Sequence, residues 1–255
     1  MRALVRRPSP RLADGLVTHG ERQAVDVAVA MAQWRAYGEA LTLAGWHVVE
    51  VAPADDCPDS VFVEDPVVVY RDLAVVARSG APARRPEADG VAVAARAEGY
   101  RIERITAPGT LDGGDVLKVG STVYVGLSGR TNQAGAEQLA EFLAPLGATV
   151  TPVSVTKVLH LKSAVTALPD GTVLGYPPLV DDPARFDPFL AVPEESGSHV
   201  VLLGGEQVLL AADAPETAAL LADRGLVPVT VDISEFQKLE GCVTCLSVRL
   251  RWHDS

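Results

Sequence analysis

Residues Gly114 to Leu127 read GDVLKVGSTVYVGL. Two apolar arms meet at Gly120-Ser121, so the stretch reads as a β-hairpin. A helical pattern over Gln133–Leu146 follows, and then a strand over Thr149–Val155. The same order recurs along the chain. VFVEDPVVVYRDLAVVAR turns at Arg71-Asp72, ahead of a helix over residues 86–98 and a strand over Arg101–Thr106. HLKSAVTALPDGTVLGYP turns at Pro169-Asp170-Gly171, with only a short, Pro-interrupted helix over residues 183–190 behind it. HVVLLGGEQVLLAA turns near Gly205, before a helix from Pro215 to Arg224 and a strand over Val227–Ile233. Hairpin tips near residues 71, 120, 170 and 205 mark a repeat of roughly 35–50 residues, a length typical of stacked or radial units.

The two ends of the chain supply a fifth unit. A strand over Arg2–Arg6, a helix from Glu21 to Ala44 and a strand over His47–Ala52 lack only a hairpin partner. The C-terminal segment Val243–Leu250 alternates in polarity and can provide it. Such pairing closes a ring and removes exposed strand edges. The expected fold class is therefore α/β, with five ββαβ units around a centre in one domain, residues 1–255. A doubly wound parallel sheet is the structural alternative, and the frequent hairpins count against it.

Composition narrows the function. The chain has 255 residues, 48% hydrophobic and 22% charged, with a net charge of −11. That acidity argues against nucleic acid or an anionic membrane as partner. The N-terminus MRALVRRPSP is charged and broken by prolines, unlike a signal peptide. No run reaches the roughly 18 apolar residues of a membrane span. Three cysteines make no disulfide framework. A cytoplasmic protein with reduced thiols and no metal or cofactor is expected.

Candidate chemistry lies in a few places. Cys245 sits in GCVTCLSVRL, where three readings compete: a packing cysteine, a nucleophile, and a redox pair with Cys242. The redox pair calls for a following helix, whereas the residues after Cys245 read as strand. His160 stands in the apolar segment VLHLKS, which suits a core histidine as well as a functional one. Asp59, Glu64 and Asp65 precede one apolar strand, and Asp112 and Asp115 flank Gly113-Gly114 before another. Turn caps are their ordinary use. Yet one of two adjacent carboxylates on a strand must face inward. In a ring, the inner strand ends converge, so acids from two units, His160 and Cys245 can meet there.

The segments PDSVFVEDPVVV, APARRPE, LDGGDVLKVGSTVYVGLSGRTNQAGAE, LHLKS and EFQKLEGCVTCLS resemble those of dimethylarginine dimethylaminohydrolases. These enzymes belong to the guanidino-group-modifying, or pentein, superfamily. The likeness runs in register from residue 2 to residue 251 and implies a five-fold pseudosymmetric α/β propeller. It implies hydrolysis of asymmetric dimethylarginine and monomethylarginine to citrulline and an amine, through an S-alkylthiouronium on the nucleophile Cys245. His160 becomes the general acid and base, and Asp112 its orienting carboxylate. Asp65, with Glu64 and Asp59, is expected to hold the guanidinium, while Arg84 and Arg130 hold the substrate carboxylate. Leu16 and Leu239 offer backbone carbonyls to its α-amino group. The sequence departs from the family at Glu240, where Asp is usual, and at Pro66, where an aliphatic residue is usual. Arginine deiminases carry a helical insertion for which this chain has no room. Deimination of unmethylated arginine and a catalytically silent arginine-binding scaffold are the rival readings. The expected partner is a methylated arginine, with a homodimer entertained beside it.

Overall fold

The computed structural model describes residues 1–251, so the last four residues of the expected 1–255 domain lie outside the described residues. The chain opens with β1 (Arg2–Val5), α1 (Val27–Leu43) and β2 (His47–Glu50). A hairpin of β3 (Val67–Tyr70) and β4 (Leu73–Val76) leads through α2 (Glu87–Ala97) to β5 (Arg101–Arg104). Next come β6 (Val116–Val119), β7 (Thr122–Leu127), α3 (Gln133–Leu143) and β8 (Thr149–Ser154). The third hairpin, β9 (Val165–Ala167) and β10 (Val173–Gly175), crosses to β11 (Phe189–Ala191) through two 3-10 turns. The last begins with β12 (Val201–Gly204), β13 (Gln207–Ala211), α4 (Pro215–Asp223) and β14 (Val227–Val231). A short α5 (Ser234–Gln237) then leads to β15 (Val248–Leu250).

These strands form five three-stranded sheets. In each, two strands pair antiparallel and the second pairs parallel with the strand behind the crossover. A parallel partner cannot be reached by a tight turn, which is why a helix or its 3-10 substitute intervenes in every unit. The fifth sheet joins the chain ends: Arg2 faces Leu250, Ala3 faces Arg249 and Leu4 faces Val248. The first strand of each unit, from Val67, Val116, Thr166, Leu202 and Val248, lines a central channel of about 320 Å³. The helices pack outside. In α1 the buried Ala30, Tyr37 and Leu41 recur on one face, and Tyr37 donates its hydroxyl to Val243 O at 2.9 Å. Among the described residues no helix is long and apolar enough to cross a membrane.

The structure corrects several local expectations. α1 begins at Val27 rather than Glu21, because the Asp26 carboxylate caps it, accepting the Ala28 and Val29 N–H groups. Phe189–Ala191 is a strand where only an interrupted helix was expected. The segment before β15 is a turn over Val243–Leu246, in which the Cys245 N–H bonds Cys242 O at 3.1 Å. Its polarity alternation misleads because every residue from Cys242 to Val248 is buried, leaving no solvent face for a strand period to report. Glu64 and Asp65 also precede their strand in turns, and both are buried. Strand alternation therefore does not set their directions.

Ring closure can be tested by deleting residues 1–6. Leu4 and Val5 are fully buried, worth about 1.5–3 kcal/mol each, and the deletion leaves β15 and β2 without their shared partner. Calorimetry is expected to show the loss of a cooperative transition, whereas an unchanged melting temperature would contradict a closed ring.

Candidate active site

Pseudosymmetry aligns the first strands of all units, so the turns that feed them lie at one end of the channel. Asp65 precedes β3, Asp112 precedes β6, His160 precedes β9 and Cys245 precedes β15. Gly113 and Gly114 let these turns touch. A Cβ on Gly113 would lie 2.1 Å from Glu64 O, and one on Gly114 would lie 2.6 Å from His160 Nδ1. Backbone approach of this kind excludes any side chain.

His160 lies between two carboxylates. Its Nε2 is 3.1 Å from Asp112 Oδ2, and its Nδ1 is 3.8 Å from Asp65 Oδ1. Burial opposes the imidazolium, but Asp65, Asp112 and Asp115 together outweigh it and raise the pKa to about 9. His160 is therefore protonated at neutral pH. Its folded pKa exceeds the ordinary 6.5. The stability it contributes is therefore complete below pH 6.5 and lost as pH rises through 9. Burial tends to raise Asp65, yet His160 and Arg84 overcome it and hold its carboxyl low. Asp65 accepts from Arg84 Nη1 at 2.6 Å and from the Gly114 N–H at 3.1 Å.

Of the site residues implied by the family resemblance, all but Asp112 and Glu64 line one cleft with Cys245. Asp112 lies behind His160. Glu64 points to the opposite side, into the central channel, where it pairs with Lys162 and Arg249 and accepts from Thr244 Oγ1 at 2.8 Å. Its expected contact with a guanidinium is not supported by this orientation. Asp59 is occupied as well, taking the Leu16 N–H at 3.0 Å. Arg84 is bound to Asp65 and, through Nε and Nη2, to both oxygens of Glu87. Arg130 is held more loosely, at 3.5 Å from both Asp112 Oδ2 and Thr18 Oγ1.

Glu240 has a task that sequence left undefined. Its carboxylate accepts the N–H groups of Thr18, His19 and Gly20 at 2.6, 2.6 and 3.0 Å. It thereby holds the 16–20 loop against the cleft, and its own backbone is left-handed, with φ 60°. The cleft so covered has about 10 Å³ of free volume, room for about one water. Larger cavities lie in the central channel and beside Cys242, but neither is lined by Cys245, His160 or Asp65.

Sequence reading passed over Glu87, Lys162 and the structural task of Asp115. Asp115 accepts the Leu161 N–H at 2.9 Å and the Ser128 hydroxyl at 2.7 Å, and burial raises it to about 6. Its flanking Gly-Gly pair was the available signal, whereas Glu87 looks like any first-turn acid of a helix. Asp65, Asp112 and His160 also bring ligand atoms within 4.8 Å of one another, close enough for a metal ion. Arg84 and Arg130 already neutralise those carboxylates.

A family model for arginine deiminase matches residues 43–186. The chain is 65% identical to a dimethylarginine dimethylaminohydrolase of Streptomyces coelicolor, over 98% of this chain and 97% of that one. It is 36% identical to the Pseudomonas aeruginosa enzyme of the same description, over 96% and 98%. A crystal structure of such an enzyme, a histidine-to-glycine variant as an adduct with S-methyl-L-thiocitrulline, superposes with a TM-score of 0.91. It is 33% identical and covers 98% of this chain and 99% of that one. A cysteine-to-serine variant of the P. aeruginosa enzyme, complexed with citrulline, also gives 0.91 at 34% identity, covering 98% of each chain.

The histidine's electrostatics yield a direct measurement. Asp112→Asn removes one hydrogen-bonded charge, and the His160 titration followed by NMR is expected to fall by about 1–3 units. An unmoved titration would assign the raised pKa to Asp65 and Asp115 alone.

Proposed function

Because this chain belongs to the dimethylarginine dimethylaminohydrolase family, we propose that Cys245, His160 and Asp112 carry its hydrolysis of Nω-methylated arginines to citrulline. Asymmetric dimethylarginine yields dimethylamine, and monomethylarginine yields methylamine. The observation that supports this assignment best is that His160, held protonated by its acids, and Cys245 line one acid-lined cleft.

Cys245 is a neutral thiol at rest. Its hydrogen bond with Cys242, its burial and the nearby Glu64 and Asp65 all raise its pKa. A guanidinium seated against Asp65 supplies the missing cation and favours the thiolate. The sulfur then adds to the guanidinium carbon, giving a neutral adduct with three amines. His160 gives its proton to the methylated nitrogen, the C–N bond breaks, and the amine leaves a cationic S-alkylthiouronium. Neutral His160 next takes a proton from water as the oxygen attacks that carbon. Collapse breaks the C–S bond and releases citrulline, regenerating the thiolate. Asp112 orients the imidazole and stabilises its charged form throughout.

Anchoring follows from which groups remain available. Asp65 is the guanidinium carboxylate, while Asp59 and Glu240 act on the 16–20 loop. Arg130 is the principal partner of the substrate carboxylate, with Arg84 adding positive field from its ion cluster. The backbone carbonyls of Leu16 and Leu239 take the α-amino group. Substrate entry requires the 16–20 loop to move, since the cleft otherwise has room for about one water.

Arg130→Ala is expected to weaken dimethylarginine binding by about 1.5–3 kcal/mol, roughly 10- to 150-fold. A guanidine lacking the α-carboxylate is expected to be nearly unaffected, and equal losses for both would make Arg130 structural. The leaving group tests the name of the reaction. A dimethylated nitrogen has no N–H for Asp65, so it turns towards His160. Symmetric dimethylarginine would displace an N–H from that acid and leave it unpaired. Mass spectrometry is expected to find citrulline and dimethylamine from the asymmetric isomer and no product from the symmetric one. A higher kcat/KM for ammonia release from arginine would make the chain a deiminase.

A further inference from the structure

The reaction above leaves Cys242 without a task, although its sulfur lies 3.2 Å from that of Cys245. The two residues begin and end a turn closed by Cys245 N–H to Cys242 O at 3.1 Å. A turn of this kind keeps the end Cα atoms within about 7 Å, inside or near the span a disulfide bridges without backbone movement. The Cys242 N–H also points at Cys245 Sγ, 3.5 Å away, and Thr244 Oγ1 lies 3.2 Å from Cys242 Sγ. Their hydrogen bond pulls the Cys242 thiol down and pushes Cys245 up. Cys242 lines a separate cavity of about 510 Å³ beside His199, while Cys245 lines the substrate cleft, which opens when the 16–20 loop moves.

We propose that Cys242 is a resolving cysteine. On meeting a hydroperoxide, the pair closes a Cys242–Cys245 disulfide that stores the nucleophile in reversible form. The Cys245 sulfur attacks the peroxide oxygen, breaking the O–O bond and becoming a sulfenic acid, and its thiol proton leaves with the displaced hydroxide as a first water. The Cys242 thiol then gives its proton to the sulfenic hydroxyl, which departs as a second water as the Cys242 sulfur forms the S–S bond. Two thiols are thereby oxidised by two electrons, and hydrogen peroxide is reduced to two waters. A dithiol reductant reverses the bond by exchange. Without a resolving thiol, the sulfenic acid proceeds to sulfinic acid, which dithiols do not reduce. No redox enzyme is implied, because a turn and a strand follow Cys245 rather than a helix.

The effect on turnover rests on Cys245 being the nucleophile, whereas formation of the bond does not. The wild-type chain, Cys242→Ser and Cys242→Ala are treated with hydrogen peroxide and then with dithiothreitol. Each is assayed against its own initial dimethylarginine turnover and analysed by peptide mass spectrometry. The wild type is expected to lose two hydrogens in the peptide holding both cysteines, lose turnover, and regain most of it with dithiothreitol. Both variants are expected to gain two oxygens on Cys245 and stay inactive after reduction. A wild type that goes directly to sulfinic acid, or pairs Cys245 with the third cysteine, Cys57, would overturn the proposal. A Cys242–Cys245 disulfide with undiminished turnover would support the pairing and refute Cys245 as nucleophile.

Discussion

The buried carboxylate of Asp65 joins the units at the active end of the ring. It accepts from Arg84 at 2.6 Å and from the Gly114 N–H at 3.1 Å, and it faces His160 at 3.8 Å. Its own carbonyl takes the Gly113 N–H at 2.7 Å. One residue thus links the turns before three successive hairpins. An ion so deeply placed costs several kcal/mol to desolvate and is tolerated only when its partners are all present. Arg84 meets that condition because Glu87 neutralises its other edge. Removing any member strands a buried charge.

That arrangement separates two electrostatic environments. On the cleft side, Asp65, Asp112 and Asp115 favour a protonated His160, while the Cys242 hydrogen bond, burial and Asp65 disfavour a free thiolate on Cys245. The resting site therefore holds a charged imidazole beside a neutral thiol. On the channel side, Glu64 is spent on Lys162 and Arg249. Thr244 donates to Glu64 from the turn that carries Cys245, so the channel network also braces the backbone of that turn. Adjacent residues in the chain, Glu64 and Asp65, consequently serve opposite faces of one wall.

Access is governed by polar contacts of the same kind. Asp59 fastens the Leu16 amide and Glu240 fastens the amides of Thr18, His19 and Gly20. Glutamate at 240 reaches those amides from a strained left-handed backbone, which relates the departure from aspartate to the loop rather than to the guanidinium. Opening the cleft exchanges these charge-assisted bonds for water, a modest net cost in each case.

Much of the fold was legible in the chain. The hairpin tips at Arg71-Asp72, Gly120, Asp170-Gly171 and Gly205 are written in local turn chemistry, and the helices between them in apolar spacing. Those signals are short-range, and they imply five units and the pairing of the chain ends. Family motifs likewise marked Cys245, His160 and Asp112. Tertiary structure alone decided which carboxylates face the cleft. Glu64 turned to the channel and Asp59 to Leu16, because adjacent residues in turns follow no strand period. It also decided that Arg84 is bound to Glu87 and that Cys242 touches Cys245. Such pairings depend on where separate turns converge in space, and desolvation at that point, rather than local sequence preference, selects the partner of each buried charge.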